Sequence, residues 1–324
     1  MDIIESLHAF EKIKLLADQR RLEILRLLMA SPATLTQLSR KVRRSPAWVR
    51  HHLQLLESAN LVEMTEIRTT GKVTEKYYRA RAAAFLLQEV ILPKTKQPMI
   101  VFSGSHDLAL EDAARRLARH VRMLSLPVGS LDGLVNLRLG LCQLSGAHLL
   151  EEGGGYNVSH VQYIFPDRDM ELLTVGQRTQ GLLLAPGNPK SIKGIADLAR
   201  PGVRFVNRNR GSGTRLWFDS ELKKLGVPIG AIYGYDRLVK THTEAASLIR
   251  AGSADAALGL QAAARQHWLD FIPLFEERYD LVLPCDQEET LAPLLDYIQS
   301  ADFRRSLDML TGYNTAHSGE QIPV

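Results

Sequence analysis

The stretch from Phe205 to Asp219 (FVNRNRGSGTRLWFD) gathers the residue types that bind an anion. A short apolar strand, Val203 to Val206, leads into a glycine-rich turn, and a helix opens near Gly213. Such a junction, glycine-rich at Gly211 and Gly213, aims several backbone N–H groups and the hydroxyls of Ser212 and Thr214 at one point. The first turn of a helix carries unpaired N–H groups and the positive end of the macrodipole. Arg208 adds fixed positive charge suited to a forked oxyanion contact. Arg210 and Arg215 do the same unless they are solvated or paired with Asp219. The turn lacks the lysine and spacing of a nucleotide-binding P-loop, and the Rossmann glycine pattern is absent. No Ser/His/Asp triad or paired-carboxylate arrangement stands out, so the reading is binding and not catalysis.

An anion site of this kind needs elements that bring several such turns together. From Met99 onward strands alternate with helices, the mark of an α/β architecture. The strands read as Met99–Phe102, Met123–Val128, Gln143–Leu149, Leu172–Leu184, Val203–Val206, Ala256–Leu258, Phe271–Leu274 and Tyr279–Leu283. Helices are expected after Asp107, from Ser130 to Leu139, and near Ile195–Leu198, Thr214–Leu225, Glu244–Ala251 and Leu291–Ser300. Four strand-to-helix junctions carry Ser, Gly or Thr: Ser103–Ser105, Gly129-Ser130, Gly211–Thr214 and Thr241–Thr243. Ser and Thr are common helix caps anyway. Several such junctions in one open α/β domain say more, because ligands sit at the carboxyl ends of the strands.

The first part of the chain follows different periodicity. Ile3, Ile4, Leu7, Phe10, Ile13 and Leu16 share one helical face and predict an opening amphipathic helix. A second helix runs through Leu22–Leu28, a third from Thr34 to Val42, and a fourth from the cap Ser45 and Pro46 to about Ser58. Val49, Leu53 and Leu56 of the fourth face the core, while Ala47, Trp48, Arg50, His51 and Gln54 face out. Trp48 packs on a neighbouring hairpin as readily as it faces a partner. Leu61–Thr69 and Val73–Arg79, joined at Thr70-Gly71-Lys72, read as that hairpin. Four helices and a hairpin give the winged helix-turn-helix order, with Ser45–Ser58 as recognition helix and Arg68–Lys76 as wing. Ala80–Ile91, rich in alanine and apolar residues, either forms a dimer seam with the first helix or packs within the subunit. Pro93–Pro98 reads as a linker.

Charge supports the division. Residues 1–98 hold 17 Lys and Arg against 10 Asp and Glu, and the remainder holds 23 against 26. A basic front on a mildly acidic second part points to nucleic acid at the front. Cys142 and Cys285 are the only cysteines, which excludes a disulfide scaffold and a multi-cysteine metal cluster. No apolar run reaches membrane-spanning length, and the acidic start at Asp2 and Glu5 is unlike a signal peptide. A cytoplasmic protein without a membrane partner is expected.

Two resemblances add to this reading. From Leu16 to Tyr78, through LADQRRLEILRLL, TLTQLSRKV and SPAWVRHHLQLLESANLV, the chain resembles the ArsR-type regulators, which bind operator DNA as dimers. Metal-sensing members carry paired cysteines on the helix that here reads TLTQLSR, and this domain has none. His51 and His52 are adjacent and about 100° apart on a helix, so they make no metal pair. From residue 99 the segments GSHDLALEDAARRL, GSLDGLVNLRLGLCQLSGAHLL, GGGYNVSHV, QGLLLAPGNPKSIKGIADLARPGVRFVNRNRGSGTRLWFD and ERYDLVLP resemble a second family. It is the periplasmic-binding-protein-like domain fused to helix-turn-helix domains and found in some molybdopterin biosynthesis proteins. The resemblance implies two α/β lobes around a cleft, similar to the binding components of molybdate and tungstate transporters. Lobe one is expected at 99–180 plus 285–324.

Together these imply an α+β winged helix-turn-helix domain (1–92), a linker (93–98) and a two-lobed α/β periplasmic-binding-protein-like, type II, domain (99–324). Arg50, His51 and Gln54 are the base-edge candidates; Arg43, Arg44, Arg68 and Lys72 are phosphate candidates. Ser45 and Trp48 join them on the DNA side. Ser103, Ser105, Ser130, Arg208, Gly211, Ser212, Gly213 and Thr214 are the ligand candidates the resemblance indicates, with Thr241 and Thr243 weaker. His148 and Asp255 stand at strand ends, where either contacts ligand or simply braces the fold. The expected protein is a one-component, non-enzymatic, homodimeric transcription regulator without a cofactor. Operator DNA and a small anion, molybdate or tungstate first, are its partners. A molybdenum-cofactor precursor, another organic anion, or a cofactor scaffold that does not bind DNA are the alternatives.

Overall fold

The computed structural model describes residues 2–7, 10–70, 73–87, 90–286 and 289–324. The chain divides into two compact units, Met1–Ile91 and Leu92–Val324.

In the first unit β1 (Asp2–Leu7) pairs in parallel with β5 (Ala82–Leu87), and α1 (Phe10–Leu16) begins only after it. This corrects the expected single opening helix. The apolar residues at 3, 4 and 7 fit a helical face, but the partner strand 82–87 supplies backbone hydrogen bonds that outweigh the local pattern. The remainder follows the expected order: α2 (Gln19–Ala30), the short strand β2 (Ala33–Thr34), α3 (Leu35–Val42), α4 (Pro46–Ser58), β3 (Val62–Thr70) and β4 (Val73–Ala80). Three caps explain where the helices begin. The carboxylate of Asp18 accepts from the Arg20 N–H. Thr34 and Gln37 form a reciprocal capping box at α3. The Ser45 hydroxyl accepts from the Trp48 N–H, with Pro46 in the first turn of α4. Ile24, Leu25, Leu28, Leu38, Val49, Leu53 and Leu56 close one core over a three-stranded sheet ordered β2-β4-β3.

The second unit is built on a sheet ordered β11-β10-β12-β9-β13-β8-β6-β7, with β14 and β15 also pairing β9. Its first lobe contains β6 (Met99–Gly104), α5 (Leu108–Leu117), β7 (Arg122–Pro127), α6 (Ser130–Arg138), β8 (Leu144–Ala147) and α7 (Val158–Ile164). The long strand β9 (Met170–Leu184) then crosses into a second lobe. That lobe holds β10 (Phe205–Arg208), α8 (Gly213–Leu225), β11 (Leu238–Val239), α9 (His242–Arg250), β12 (Ala256–Leu260) and α10 (Gln261–Gln266). The strand β13 (Asp270–Pro284) runs back antiparallel to β9 along its whole length. α11 (Ala292–Gln299), α12 (Ala301–Asp308), β14 (Tyr313–Asn314) and β15 (Gln321–Pro323) finish the first lobe.

Two expectations change here. Phe271–Leu274 and Tyr279–Leu283 are one strand with register shifts between Pro273 and Phe275 and between Tyr279 and Asp280. The return to the first lobe also comes earlier than residue 285, because Tyr279, Leu281 and Leu283 already pack in its core with Phe102 and Leu173. β9 and β13 are therefore the double crossing that joins the lobes, and the cleft lies across their middle.

Candidate functional site

The middle of β9 interrupts an apolar strand with Gly176-Gln177-Arg178-Thr179-Gln180, and Arg178 stands opposite Glu277 of β13. All three of Arg178, Gln180 and Glu277 are buried. Arg178 Nε donates to Glu277 Oε1 at 2.7 Å, and its Nη1 donates to Asp107 Oδ2 at 2.7 Å. Burial by itself disfavours the Arg178 charge, but the flanking carboxylates of Glu277 and Asp107 outweigh it and hold the guanidinium charged. Burial likewise opposes the Glu277 carboxylate, yet His148 and Arg178 beside it bring its pKa down to about 2. Gln180 Nε2 donates to Glu277 and to the Thr214 hydroxyl, at 2.6 and 2.8 Å.

The strand-to-helix junctions converge on this centre. His148, at the end of β8, sits 2.7 Å through Nδ1 from Glu277 Oε2, which leaves Nε2 to accept from the Ser105 hydroxyl at 2.8 Å. The His148 N–H in turn donates to the Ser130 hydroxyl at the start of α6, at 3.2 Å. Burial lowers the His148 pKa, so the ring is favoured neutral despite the carboxylate. From the second lobe, Ser212 caps α8 by accepting from the Arg215 N–H, while Gly211 turns with φ at +78°. Gly213 then faces His148 so closely that a Cβ would lie 2.6 Å from its ring.

Arg208, at the end of β10, is fully buried. Its Nη1 donates to His242 Nδ1 at 2.7 Å and its Nη2 to the Lys240 carbonyl at 3.0 Å. Neither partner is a carboxylate. Its Nε, and Nη2 of Arg178, are buried without a hydrogen-bond partner among the described residues. Burial, then the nearby Arg178 charge, push the Arg208 pKa down to about 9, which leaves it charged at neutral pH. Burial and Arg208 together keep His242 neutral, far below the usual histidine range. Across the cleft His242 donates its backbone N–H to His106 Nδ1 at 3.4 Å, and Asn209 Nδ2 reaches the Val128 carbonyl at 2.5 Å. The lobes are in contact, with two buried arginines and the starts of α6, α8 and α9 between them.

Of the ligand candidates read from sequence, Ser105, Ser130, His148, Arg208, Ser212, Gly213 and Thr214 come together here, and Gly211 shapes the turn. Ser103 is buried but its hydroxyl accepts from Asn136 at 2.9 Å, which ties α6 to β6. Thr241 caps α9 by accepting from the Glu244 N–H, and Thr243 keeps a buried hydroxyl without a partner among the described residues. Asp255 is bound on both oxygens by Arg204, and Arg215 by Asp219, so both brace the second lobe. Arg178, Gln180, Glu277, His106, Asp107 and His242 were not singled out from sequence. The available signal was the polar run Gln177–Gln180 inside a strand long enough to be buried on both faces.

On the first unit, Arg50, His51 and Gln54 project from α4 into solvent, as do Arg43, Arg44 and Ser45 just before it. Arg43 ends α3 with φ at +52°. Trp48 is half-buried against the core and packs edge-on against buried His52, with ring centroids 4.2 Å apart. Arg68 is exposed on the wing, hydrogen-bonded to Glu66 and lying 4.7 Å over the Tyr77 ring. Gly71 and Lys72 lie outside the described residues.

These arrangements belong to known classes. Residues 111–299 match the PBP superfamily domain, and residues 18–64 match the bacterial regulatory protein arsR family. The chain belongs to the PBP superfamily and carries an arsR-family helix-turn-helix in front of that domain. It is similar to the uncharacterized protein YvgK of Bacillus subtilis (strain 168), with 35% identity over 229 residues, covering 70% of this chain and 74% of that protein. A second similar protein is the uncharacterized one in the ferredoxin 2Fe-2S gene 5' region of Clostridium pasteurianum. It is 36% identical over 109 residues, 32% of this chain and 95% of the relative. Among solved structures, a candidate phosphate ABC transporter substrate-binding protein with bound phosphate from Clostridium perfringens has the same fold, with a TM-score of 0.50 and 12% identity. That likeness covers 68% of this chain and 99% of the other. A DNA-binding domain joined to a ligand-binding domain makes this a ligand-responsive regulator in general form. No helix among the described residues is long and apolar enough to cross a membrane.

Proposed function

We propose that the protein is a one-component transcription regulator whose DNA binding is set by a small anion held between the lobes of the second unit. Arg208 carries the proposal. A buried charge is costly unless paired, and this one has a neutral imidazole and a carbonyl for partners, with Nε unused. An anion at the starts of α6 and α8 would supply the missing countercharge. The resemblance to molybdate- and tungstate-binding domains makes those two oxyanions the first to test.

The anion shifts the protein between open and closed lobes by its difference in affinity for the two, and DNA binding responds through the same equilibrium. Arg50, His51 and Gln54 read base edges; Arg43, Arg44, Arg68 and Lys72 hold phosphates. The protein works in the cytoplasm as a homodimer on a two-fold operator. Exposed Phe10, Leu86, Leu87 and Ile91 are the apolar surface available for its seam.

Thermal unfolding of the purified protein with tungstate, molybdate, sulfate and phosphate at matched ionic strength tests the reading. Ligand at 100 times its dissociation constant stabilises the native state by about 2.7 kcal/mol. A shift with one of these anions supports the proposal. No shift with any of these four anions, nor with an organic phosphate, sinks it.

A further inference from the structure

Beside the buried cage, and touching it through His148, Gly213 and Glu277, lies a cavity of about 250 Å³ with a different character. One face of α8 lines it at Gly213, Leu216, Trp217, Ser220 and Lys224, positions spaced for a single helical stripe. Opposite stand Leu149, Leu150, Tyr156 and His160 of the first lobe, with Phe275 of β13 at the back. Trp217 and Phe275 stack at 3.9 Å between centroids, inclined by 25°, and form a flat wall. The Tyr156 hydroxyl donates to the Glu276 carbonyl at 3.1 Å, so its ring is tied to the crossing strand β13. Leu150 and Leu216 remain about half exposed, at 54% and 49%.

We infer that this cavity is a second compartment of the ligand site, and that the ligand is an organic anion. Its charged head would sit at the start of α8 and its flat apolar body between Tyr156 and the Trp217–Phe275 wall. The inference rests on the anion reading given above and adds the chemical class. A bare tetrahedral oxyanion displaces only two or three waters, roughly 60–90 Å³. It would leave most of this space and its aromatic surface unused. Small-molecule sites are mostly apolar with a few convergent polar groups, which is the character of this lining. Both lobes contribute walls, so a body seated here strengthens closure as well as affinity.

Phenyl phosphate and inorganic phosphate are the matched probes, with molybdate alongside, measured by calorimetry on the full-length protein. The expected result is that the phenyl ester binds at least tenfold more tightly than phosphate. Trp217→Ala then removes that advantage and leaves phosphate affinity unchanged. Because Trp217 is half-buried, Ser220→Trp provides a second variant: Ser220 is exposed, so an indole there fills the compartment without entering the core. It too should abolish the difference between the two probes. Equal affinity for phosphate and its phenyl ester in the unaltered protein overturns the compartment and leaves the anion reading standing. Binding of neither phosphate, molybdate nor the phenyl ester overturns both.

Discussion

Two buried arginines in one cleft should behave in opposite ways when removed. Arg178 is paired on both sides, with Glu277 and Asp107 each at 2.7 Å. In Arg178→Met those two carboxylates lose their counterion inside the protein, and breaking a buried pair in this way costs about 3–5 kcal/mol. Arg208→Met removes a charge that has no carboxylate partner, which relieves a desolvation cost of several kcal/mol per ion. Against that gain, the Lys240 carbonyl and His242 Nδ1 each lose a donor, at about 1–3 kcal/mol apiece. The opposing terms cancel to within about 2 kcal/mol. At roughly 2–4 °C per kcal/mol for a unit of this size, Arg178→Met should melt about 6–20 °C lower, and Arg208→Met within about 8 °C of the parent. The response to anion separates them further. Loss of one charge-assisted hydrogen bond, about 1.5–3 kcal/mol, weakens anion binding roughly 10- to 150-fold in Arg208→Met. Melting curves with and without molybdate or phenyl phosphate read both effects at once. An Arg208→Met protein that is severely destabilised but keeps its full anion response would refute the reasoning, because Arg208 would then be a structural residue.

Other consequences follow from the same geometry. Gly213→Ala places a methyl 2.6 Å from the His148 ring and 2.7 Å from its carbonyl oxygen. The lobes cannot then meet as they do here, so anion-dependent change in DNA binding should vanish in a gel-shift assay while anion-free binding persists. Burial keeps His148 and His242 below their unfolded pKa of 6.5. Both are neutral above that value in either state; below it the unfolded chain takes up protons first. Stability should therefore fall as pH drops below 6.5, by up to about 1.4 kcal/mol per pH unit for each ring, until the folded-state pKa is passed. Urea melts at pH 7.0 and 5.5 check this, and His242→Gln should flatten the slope. On DNA, Arg44→Ala should weaken binding to all sequences alike and reduce the salt slope by about 1, whereas Gln54→Ala should relax discrimination at one base position by about 1–3 kcal/mol. An Arg44→Ala protein with an unchanged salt slope would remove that residue from the phosphate contacts.

What sequence made legible, and what it hid, has a physical cause in each case. Helix starts were readable because their determinants are local: Ser45 with Pro46, Thr34 with Gln37, and Ser212 each satisfy N–H groups within three residues. The first strand was not, since residues 2–7 depend on a partner some eighty residues away. The same division runs through the site. Ser105, Ser130 and the 208–214 turn announce themselves because anion-binding junctions have a short sequence signature. Arg178 and Glu277 lie 99 residues apart and meet only because β9 and β13 cross the lobes side by side. A strand buried on both faces should be apolar throughout, so four consecutive polar residues at its centre, Gln177 to Gln180, require a reason that local structure does not supply. Here they form the floor of the cleft, at the crossing where the two lobes join. A change in lobe angle must be absorbed there, and of the two buried arginines Arg178 is anchored on these strands while Arg208 is held from the second lobe by His242 and Lys240. On the proposed anion reading, a ligand that touches both arginines links the crossing strands, through Arg178, to the second lobe, through Arg208.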